Sequence, residues 1–258
     1  MPVNLIAKTN GKISTLLVKD KQTVKQDEIL AIIENPADFN NVQILKLKLD
    51  TLKSCFSKTE VRTFKIIDTI SFEDGYILGD VQSAYMSFLK SLNDYNFFIE
   101  SDFQHKKINN IRQQIQRKKK KKKKIITQSE LSSEQLELSF SQYSRDSSLF
   151  QNHAISKSEF EKSKNELLQN KYSNENAKSS LDNSKITISQ LQQNILELQQ
   201  QWNELNKQLY DQLSNNYEIL INQIKTWEQM YLLITPISGK VTFTKFWSEN
   251  QDIKTGEN

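Results

Sequence analysis

The chain has few of the residues that interrupt helices and few of those that build chemical sites. Among 258 residues there are one cysteine, two histidines, three prolines and five glycines. Cys55 alone excludes an internal disulfide and any thiolate metal cluster. His105 and His153 are too few, and too far apart in the sequence, for a usual zinc site. No apolar run reaches the roughly 18 residues of a membrane span, and no signal-peptide core follows Met1.

The composition also argues against a large packed core and against an active site. Only 36% of the residues are hydrophobic and the mean hydropathy is −0.64, which suits an extended helical protein. The net charge of +4 does not make the whole molecule an obvious polyanion binder. No nucleophile with a neighbouring base, paired carboxylates or phosphate-binding glycine loop stands out. We therefore predict that the chain is not an enzyme, with no catalytic residue, no cofactor and no metal.

The middle of the chain predicts long helices. Neither glycine nor proline, the residues that helices tolerate least, occurs between Gly79 and Pro236. Apolar residues there recur with the spacing of a coiled coil, and a step of four from Leu209 to Leu213 predicts a stutter. We expect Trp202 and Trp227 to be packing residues. The predicted seam comprises Val81, Tyr85, Phe88, Leu92, Tyr95, Ile99, Ile108, Ile111, Ile115, Leu181, Ile188, Leu191, Ile195, Leu198, Trp202, Leu205 and Leu209.

A turn is predicted at 152–156. Ser156 and Glu159 have the spacing of a capping box, and Asn152 is a candidate for the positive-φ residue that ends the preceding helix. The sequence thus predicts long helices over about 80–151 and 157–232, within a hairpin region 36–232 that also holds a short helix 37–56.

The two ends of the chain carry copies of one short β-motif. Gly11-Lys12-Ile13 matches Gly239-Lys240-Val241 at an offset of 228, and Gln22 to Glu28 matches Gln251 to Glu257 at 229. Because so short a motif cannot bury its apolar face alone, the copies are predicted to pair into one small β-domain. Its halves are 1–35 and 233–258, the second without a counterpart of Ile29–Ile33. We therefore interpret the sequence as a fragment that lacks a membrane anchor and later β-structure.

This arrangement resembles the HlyD-type membrane fusion proteins, the periplasmic adaptors of type I secretion and tripartite efflux. The resemblance rests on Asn10 to Ile13 with Val24 to Leu30, and on Thr235 to Val241, where Thr235 replaces the alanine of the family's A-P-x-x-G-x-V pattern. It implies a mainly α fold, in which a long antiparallel coiled-coil hairpin is inserted between two halves of a lipoyl-like domain. It also implies a homo-oligomeric ring in the periplasm, an inner-membrane transporter of the ABC type and a TolC-type outer-membrane channel as partners.

The predicted turn carries a second match. Adaptors of this family present the pattern R-L-x-x-L-x6-S at the hairpin tip, where it meets the channel. Arg145, Leu149 and Ser156 fall at the matching spacing, and Asp146 replaces the first leucine. The resemblance thus implies that these three residues bind the partner. Read on their own, Arg145 could be a surface arginine near Asp146 and Glu137, and Ser156 a helix cap.

Two other interpretations bear on the function. A lipoyl or biotinyl carrier needs a lysine after the first half, but the sequence there is Glu34-Asn35-Pro36-Ala37. Lys118 to Lys124 could bind phosphates, yet no aromatic residue is interleaved for base stacking, so we predict no nucleic-acid partner. The rival hypothesis is a cytosolic coiled-coil scaffold whose end motifs are coincidental and whose lysine run binds an acidic partner or nucleic acid.

Overall fold

The computed structural model describes residues 3–56, 72–73, 75–244 and 247–256. Lys245, Phe246 and Glu257 of the second motif copy lie outside the described residues. The protein is mainly helical, with a helical hairpin and a small antiparallel β-domain built from both ends of the chain, as the sequence predicted. The helices are α1 Phe39–Phe56, α2 Gln82–Ser101, α3 Phe103–Gln151 and α4 Lys157–Tyr231. The strands are β1 Gly11–Leu16, β2 Thr23–Val24, β3 Ile29–Ile33, β4 Leu232–Ile234, β5 Gly239–Lys240 and β6 Asp252–Ile253.

The described chain forms two compact units. One comprises Met1–Ser101 with Leu205–Asn258, and the other comprises Asp102–Glu204. In the first unit, α1, α2 and the end of α4 share one apolar core.

The two end motifs pair with each other crosswise. β1 pairs with β6, with Gly11 opposite Ile253, and β5 pairs with β2, with Gly239 opposite Val24. Residue 253 corresponds to residue 24, and residue 239 corresponds to residue 11. The first strand of each copy therefore pairs with the same later strand of the other copy. β3 and β4 complete a four-stranded sheet in the order β4-β3-β1-β6, and β2-β5 form a second sheet. The prediction that the ends of the chain form one domain is confirmed.

The equivalence of the copies extends to single hydrogen bonds. The Ile13 N–H donates to the Gln251 carbonyl at 3.0 Å, and its counterpart, the Val241 N–H, donates to the Gln22 carbonyl at 2.9 Å. Both turns also place a residue at positive φ, Lys21 at 67° and its counterpart Asn250 at 63°. A pseudo-two-fold relation between the halves follows from these pairs.

Trp227 in α4 is the largest fully buried side chain of the described residues and belongs to the helical core of the first unit, with 1% of its surface exposed. Its indole N–H donates to Asn35 Oδ1 at 3.1 Å. Tyr217 belongs to the same core. Its hydroxyl donates a hydrogen bond to the Leu49 carbonyl at 3.2 Å, and burial raises the pKa of Tyr217 to about 12. Lys46 in α1 and Glu228 in α4 form a salt bridge of 2.7 Å. These contacts fix α1 against α4.

Helix α1 begins two residues later than predicted because Asp38 caps it. Asp38 Oδ1 accepts the Asn41 N–H at 2.8 Å, which satisfies a free amide of the first turn. Gly79 lies beside this start with φ 53°, and a Cβ there would meet the Ala37 nitrogen at 2.9 Å. A glycine is therefore required at position 79 on both counts.

The first long helix is not continuous. Where the sequence predicted one helix over about 80–151, a 3-10 turn at Gly79–Val81 precedes α2, and α2 ends at Ser101. Asp102 adopts φ 45°, and its Oδ1 lies 2.8 Å from His105 Nδ1. An aspartate tolerates the left-handed conformation better than most residues and is favoured at a helix N-terminus. This helix break was not predicted from the sequence, because no glycine or proline lies near it.

The seam of α4 departs from the prediction near Trp202. Trp202 is half-buried and contacts the His105 ring at 5.2 Å between centroids. Leu205, predicted to be in the seam, is 40% exposed, whereas Asn206 is buried. The stutter that was predicted between Leu209 and Leu213 therefore lies between Trp202 and Asn206. A stutter arises because a straight α-helix drifts relative to a strict seven-residue repeat.

Candidate hairpin-tip interface

The turn between α3 and α4 is a compact Schellman motif. The Ala154 N–H donates to the Leu149 carbonyl at 2.9 Å, and the His153 N–H donates to the Phe150 carbonyl at 3.0 Å. These bonds satisfy two carbonyls that the end of α3 leaves free. The left-handed residue is His153, with φ 57°, and not Asn152, which has φ −88°. The prediction for Asn152 was wrong: α3 ends at Gln151 as expected, but Asn152 is its C-cap and the left-handed residue follows one position later.

A complete capping box starts α4. Ser156 Oγ accepts the Glu159 N–H at 3.2 Å, and Glu159 Oε2 accepts both the Ser156 N–H and its hydroxyl at 2.8 Å. The Ser156 backbone N–H, and then its hydroxyl, hold the pKa of Glu159 below its usual value of 4.5. A carboxylate at a helix N-terminus also interacts favourably with the helix dipole. The capping box predicted from the sequence is confirmed.

Aromatic stacking joins the two helices beside the turn. Phe160 of α4 stacks on Phe150 of α3, with 4.9 Å between centroids and 5° between planes. The Tyr143 ring, two turns before Phe150, also stacks on Phe160 at 5.6 Å. Such pairs add about 0.5–1.5 kcal/mol beyond area burial. The stacking of these rings was not predicted from the sequence, although Ile155 and Phe160 occupy the positions of a hydrophobic staple around the Ser156 cap.

The seam of the hairpin becomes polar toward the turn. Ser139, Ser163 and Asn174 are buried there, and the Ser139 hydroxyl donates to the Leu136 carbonyl at 2.9 Å. Ser163 Oγ and Asn174 Oδ1 have no hydrogen-bond partner among the described residues. With so little apolar seam, we infer that the turn and its stacked rings are important in holding the helix ends together.

The structure places the predicted partner-binding residues around this turn. Arg145 and Leu149 lie one turn apart on α3 and so share a face, and both are exposed. Ser156 lies on the other side of the turn, also exposed, and its polar atoms are engaged in the cap. Arg145 forms no salt bridge with Asp146, Glu137 or any other residue that the structure describes. Within the described chain, no hydrogen bond or salt bridge joins the Ser156 side chain to Arg145 or Leu149.

An exposed apolar stripe continues from Leu149 along α3. Leu138 is 72% exposed and Leu131 is 60% exposed. Leu131, Leu138 and Arg145 follow one another at intervals of seven residues, and Leu149 lies eleven residues after Leu138, so all four lie on one helix face. This outer stripe, Leu131–Leu138–Arg145–Leu149, was not identified in the sequence, where these leucines could not be told apart from seam residues.

The described residues offer no other chemical site of the usual kinds. None of the described His, Cys, Asp or Glu side chains cluster in threes as metal ligands do. Within the same residues, no helix is long and apolar enough to cross a membrane.

No family model matches the chain, and no curated protein matches it. Solved structures of periplasmic adaptors and membrane fusion proteins match it over nearly its whole length. The periplasmic adaptor protein EmrA is 20% identical, with 98% of this chain and 68% of that chain covered and a TM-score of 0.47. The soluble domain of LipC, a membrane fusion protein of a type I secretion system, is 16% identical, with 98% and 96% covered and a TM-score of 0.48. MacA from Actinobacillus actinomycetemcomitans is 18% identical, with 98% and 45% covered and a TM-score of 0.25.

Proposed function

We propose that this protein is a non-enzymatic periplasmic adaptor that links an inner-membrane transporter to an outer-membrane channel. One observation supports this function most directly: a helical hairpin departs from, and returns to, a β-domain made of both chain ends. A transporter of the ABC type, a TolC-type channel and a location in the cell envelope complete the proposal. They come from the resemblance of the sequence to HlyD-type proteins.

The hairpin turn is the proposed channel contact, with Arg145, Leu149 and Ser156 as its residues. Two observations favour this assignment. Arg145 is exposed and forms no salt bridge among the described residues. The outer stripe also extends the exposed apolar surface of α3 as far as the turn. Asp146 stands where the family pattern has leucine, so the matching channel surface should carry a basic group. A single tip offers little area, and several copies in a closed ring would bind by avidity.

The rival hypothesis of a cytosolic scaffold required the end motifs to be coincidental. Their crosswise pairing, with Gly11 opposite Ile253 and Gly239 opposite Val24, contradicts that premise. No observation on the described residues supports the scaffold over the adaptor.

The test is the double variant Arg145→Asp with Leu149→Ser, with export measured in the cell that produces the protein. Export should be lost while circular dichroism and oligomer size stay unchanged, because both side chains are exposed and neither takes part in the hydrogen bonds of the turn. Lys171→Asp with Leu196→Ser is the matched control, since it makes the same changes at exposed positions of α4 away from the turn. Unchanged export in the tip variant, or equal loss in the control, would reject the tip assignment.

Ser156 needs a separate variant because it also caps α4. Ser156→Asp retains an acceptor that is favoured at a helix N-cap, so the turn should persist. Reduced export with unchanged helicity would then support a direct role of Ser156 in partner binding. Wild-type export would limit Ser156 to capping.

A further inference from the structure

A groove runs along one side of the hairpin, between α3 and α4. Its volume is about 540 Å³, and both of its walls belong to the unit Asp102–Glu204. On α3 the groove extends from Lys118 to Gln128, which is about 15 Å at the rise of an α-helix. The α4 wall consists of Ser173, Asn176, Ala177, Ser180, Asn183, Ser184 and Thr187. Polar side chains therefore form most of the lining.

The lining carries positive charge. Lys118 and Lys121 lie one turn apart on the α3 wall, and no described aspartate or glutamate lines the groove. Two acidic residues of α4, Glu175 and Asp182, lie next to lining residues in the sequence. Each forms a salt bridge with the lysine three residues further along its own helix, at 3.0 and 2.8 Å. The two lysines of the groove therefore have no anionic partner among the residues that the structure describes.

The segment around these lysines concentrates the charge of the chain. Arg117 to Lys124 are eight consecutive basic residues. The net charge of the chain is +4, so the remaining residues, without these eight positive charges, carry −4. Like charges three and four residues apart on a helix repel one another. A multivalent anion close to this segment would offset that repulsion.

The hairpin has little apolar packing where the groove lies. On the way to the turn, Ile115 is the last buried apolar residue of α3 among the described residues, and Ile188 is its equivalent on α4. Nearer the turn the buried residues of the two helices are Ser139, Ser163 and Asn174. A ligand that contacts both walls would therefore join α3 to α4 in a stretch where the seam does not.

Side chains that can donate hydrogen bonds line both walls. Each lysine ammonium offers three donors, and the Ser180, Asn183 and Ser184 side chains offer hydroxyl and amide donors from α4. None of these five side chains forms a hydrogen bond with another described residue. Hydrogen bonds from charged donors to an ionised oxygen are shorter and stronger than neutral ones. The groove thus combines two fixed charges with neutral donors on the facing helix.

We propose that this groove binds a linear oligophosphate, with Lys118 and Lys121 at its charges and the α4 side chains at its oxygens. Ionised phosphate oxygens are hydrogen-bond acceptors, which matches a lining rich in donors. Nucleic-acid bases would require aromatic side chains for stacking, and no described aromatic residue lines the groove. An acidic peptide would bring backbone N–H donors and apolar stems, for which this lining offers little. Such binding goes beyond the proposed channel contact and does not require it.

Calorimetric titration of the whole chain with inorganic tripolyphosphate tests the site at about 0.15 M salt, where the Debye length is about 8 Å. Lys118→Gln with Lys121→Gln should weaken binding at least about tenfold, because charged hydrogen bonds are lost. Lys120→Gln with Lys123→Gln is the matched control, since it removes the same charge at the same spacing from residues that do not line the groove. The control should weaken binding less than about threefold, because only screened attraction is lost.

A chain that does not bind tripolyphosphate under these conditions would overturn the proposal. Equal losses in the two double variants would also overturn it, because they would show that the ligand responds to the charge of α3 and not to the groove.

Ser184→Leu separates loss of the site from loss of the fold. The larger side chain fills the groove from the α4 wall and continues the seven-residue series of Leu191 and Leu198. Binding should fall at least about tenfold without a decrease in melting temperature, because an apolar seam residue is added. Ser189→Leu, at an exposed position of α4 outside the groove, should leave binding unchanged. Unchanged binding in Ser184→Leu would contradict the site.

Two further ligands identify what the groove recognises. ATP without a divalent cation carries a triphosphate on a nucleoside, and it should bind no more tightly than tripolyphosphate because no described aromatic residue lines the groove. An oligoglutamate of equal charge should bind more weakly, since its carboxylates are spread along a bulkier chain. Tighter binding of either ligand than of tripolyphosphate would overturn the assignment of the groove to oligophosphate.

Discussion

The indole N–H of Trp227 donates to Asn35 Oδ1 at 3.1 Å, linking the end of α4 to the segment that leaves β3. The same Oδ1 accepts the Ala37 N–H at 3.0 Å, and the Asn35 amide donates to the Ile33 carbonyl at 2.9 Å. One side chain thus satisfies the indole and shapes the exit of the chain from the sheet.

Asn35→Ala should lower the free energy of unfolding by about 1–3 kcal/mol, because it leaves the buried indole N–H without its acceptor. Urea denaturation followed by far-UV circular dichroism measures the change. Asn40→Ala is the matched control, since it deletes the same group from an exposed position in the first turn of α1 and should change little. Equal effects of the two substitutions would contradict a specific role for Asn35.

The left-handed residue of the hairpin turn gives a second prediction. His153→Gly should raise the free energy of unfolding by about 0.5–1 kcal/mol, because glycine relieves the strain of φ 57° but adds freedom to the unfolded chain. Asn152→Gly, one residue earlier at φ −88°, should instead lower it by about 0.5–1 kcal/mol. Thermal melts of the two variants provide the comparison. The two changes in the free energy of unfolding should have opposite signs. An increase for Asn152→Gly would indicate that residue 152, and not residue 153, is the left-handed one.

The capping box predicts a pH dependence at the turn. Because the folded pKa of Glu159 is lowered, its carboxylate contributes stability that is fully present above the unfolded pKa and is lost as pH falls through the folded pKa. A carboxyl NMR titration should give Glu159 a pKa below 4.5. Ser156→Ala removes the hydroxyl but keeps the backbone N–H, so this pKa should rise part of the way. Ser158→Ala, at the exposed neighbouring serine, should leave it unchanged, and an equal rise there would dissociate the shift from the cap.

The lysine run predicts a salt-dependent stability. Lys118 to Lys124 form no salt bridge among the described residues, so in α3 they repel one another at intervals of three and four. Lys119→Glu places a glutamate four residues before Lys123 and should raise the free energy of unfolding by about 0.5 kcal/mol at low salt. Lys119→Gln, which only removes a charge, should give a smaller gain.

Melts at about 0.01 M and about 1 M salt test this explanation, since the Debye length falls from about 30 Å to about 3 Å between them. The difference between the glutamate and glutamine variants should shrink at high salt. A difference that persists would show that helix propensity, and not charge, is responsible.

Several features of the fold could be predicted from local sequence. The capping box at Ser156 and Glu159 was predictable because the two residues interact within one helical turn. The pairing of the two end motifs into one β-domain was predictable because a duplicated motif has a duplicated set of strands, each with an apolar face to cover. Their crosswise arrangement was not predicted. The long helices followed from the absence of glycine and proline between Gly79 and Pro236.

Other features depend on contacts that no local pattern encodes. Asp102 breaks the first long helix and His153 takes the left-handed conformation, although neither is glycine, because a single residue of another type can adopt that conformation at a cost of only about 1–2 kcal/mol. The burial of Asn206 and the exposure of Leu205 likewise depend on how α4 turns against its neighbours. The sequence by itself therefore determined the kinds of elements and the meeting of the two ends. Only the structure decided where the helices break and which leucines face outward. A left-handed residue other than glycine gives no clear signal in the sequence, and the burial of a leucine depends on residues distant in the chain.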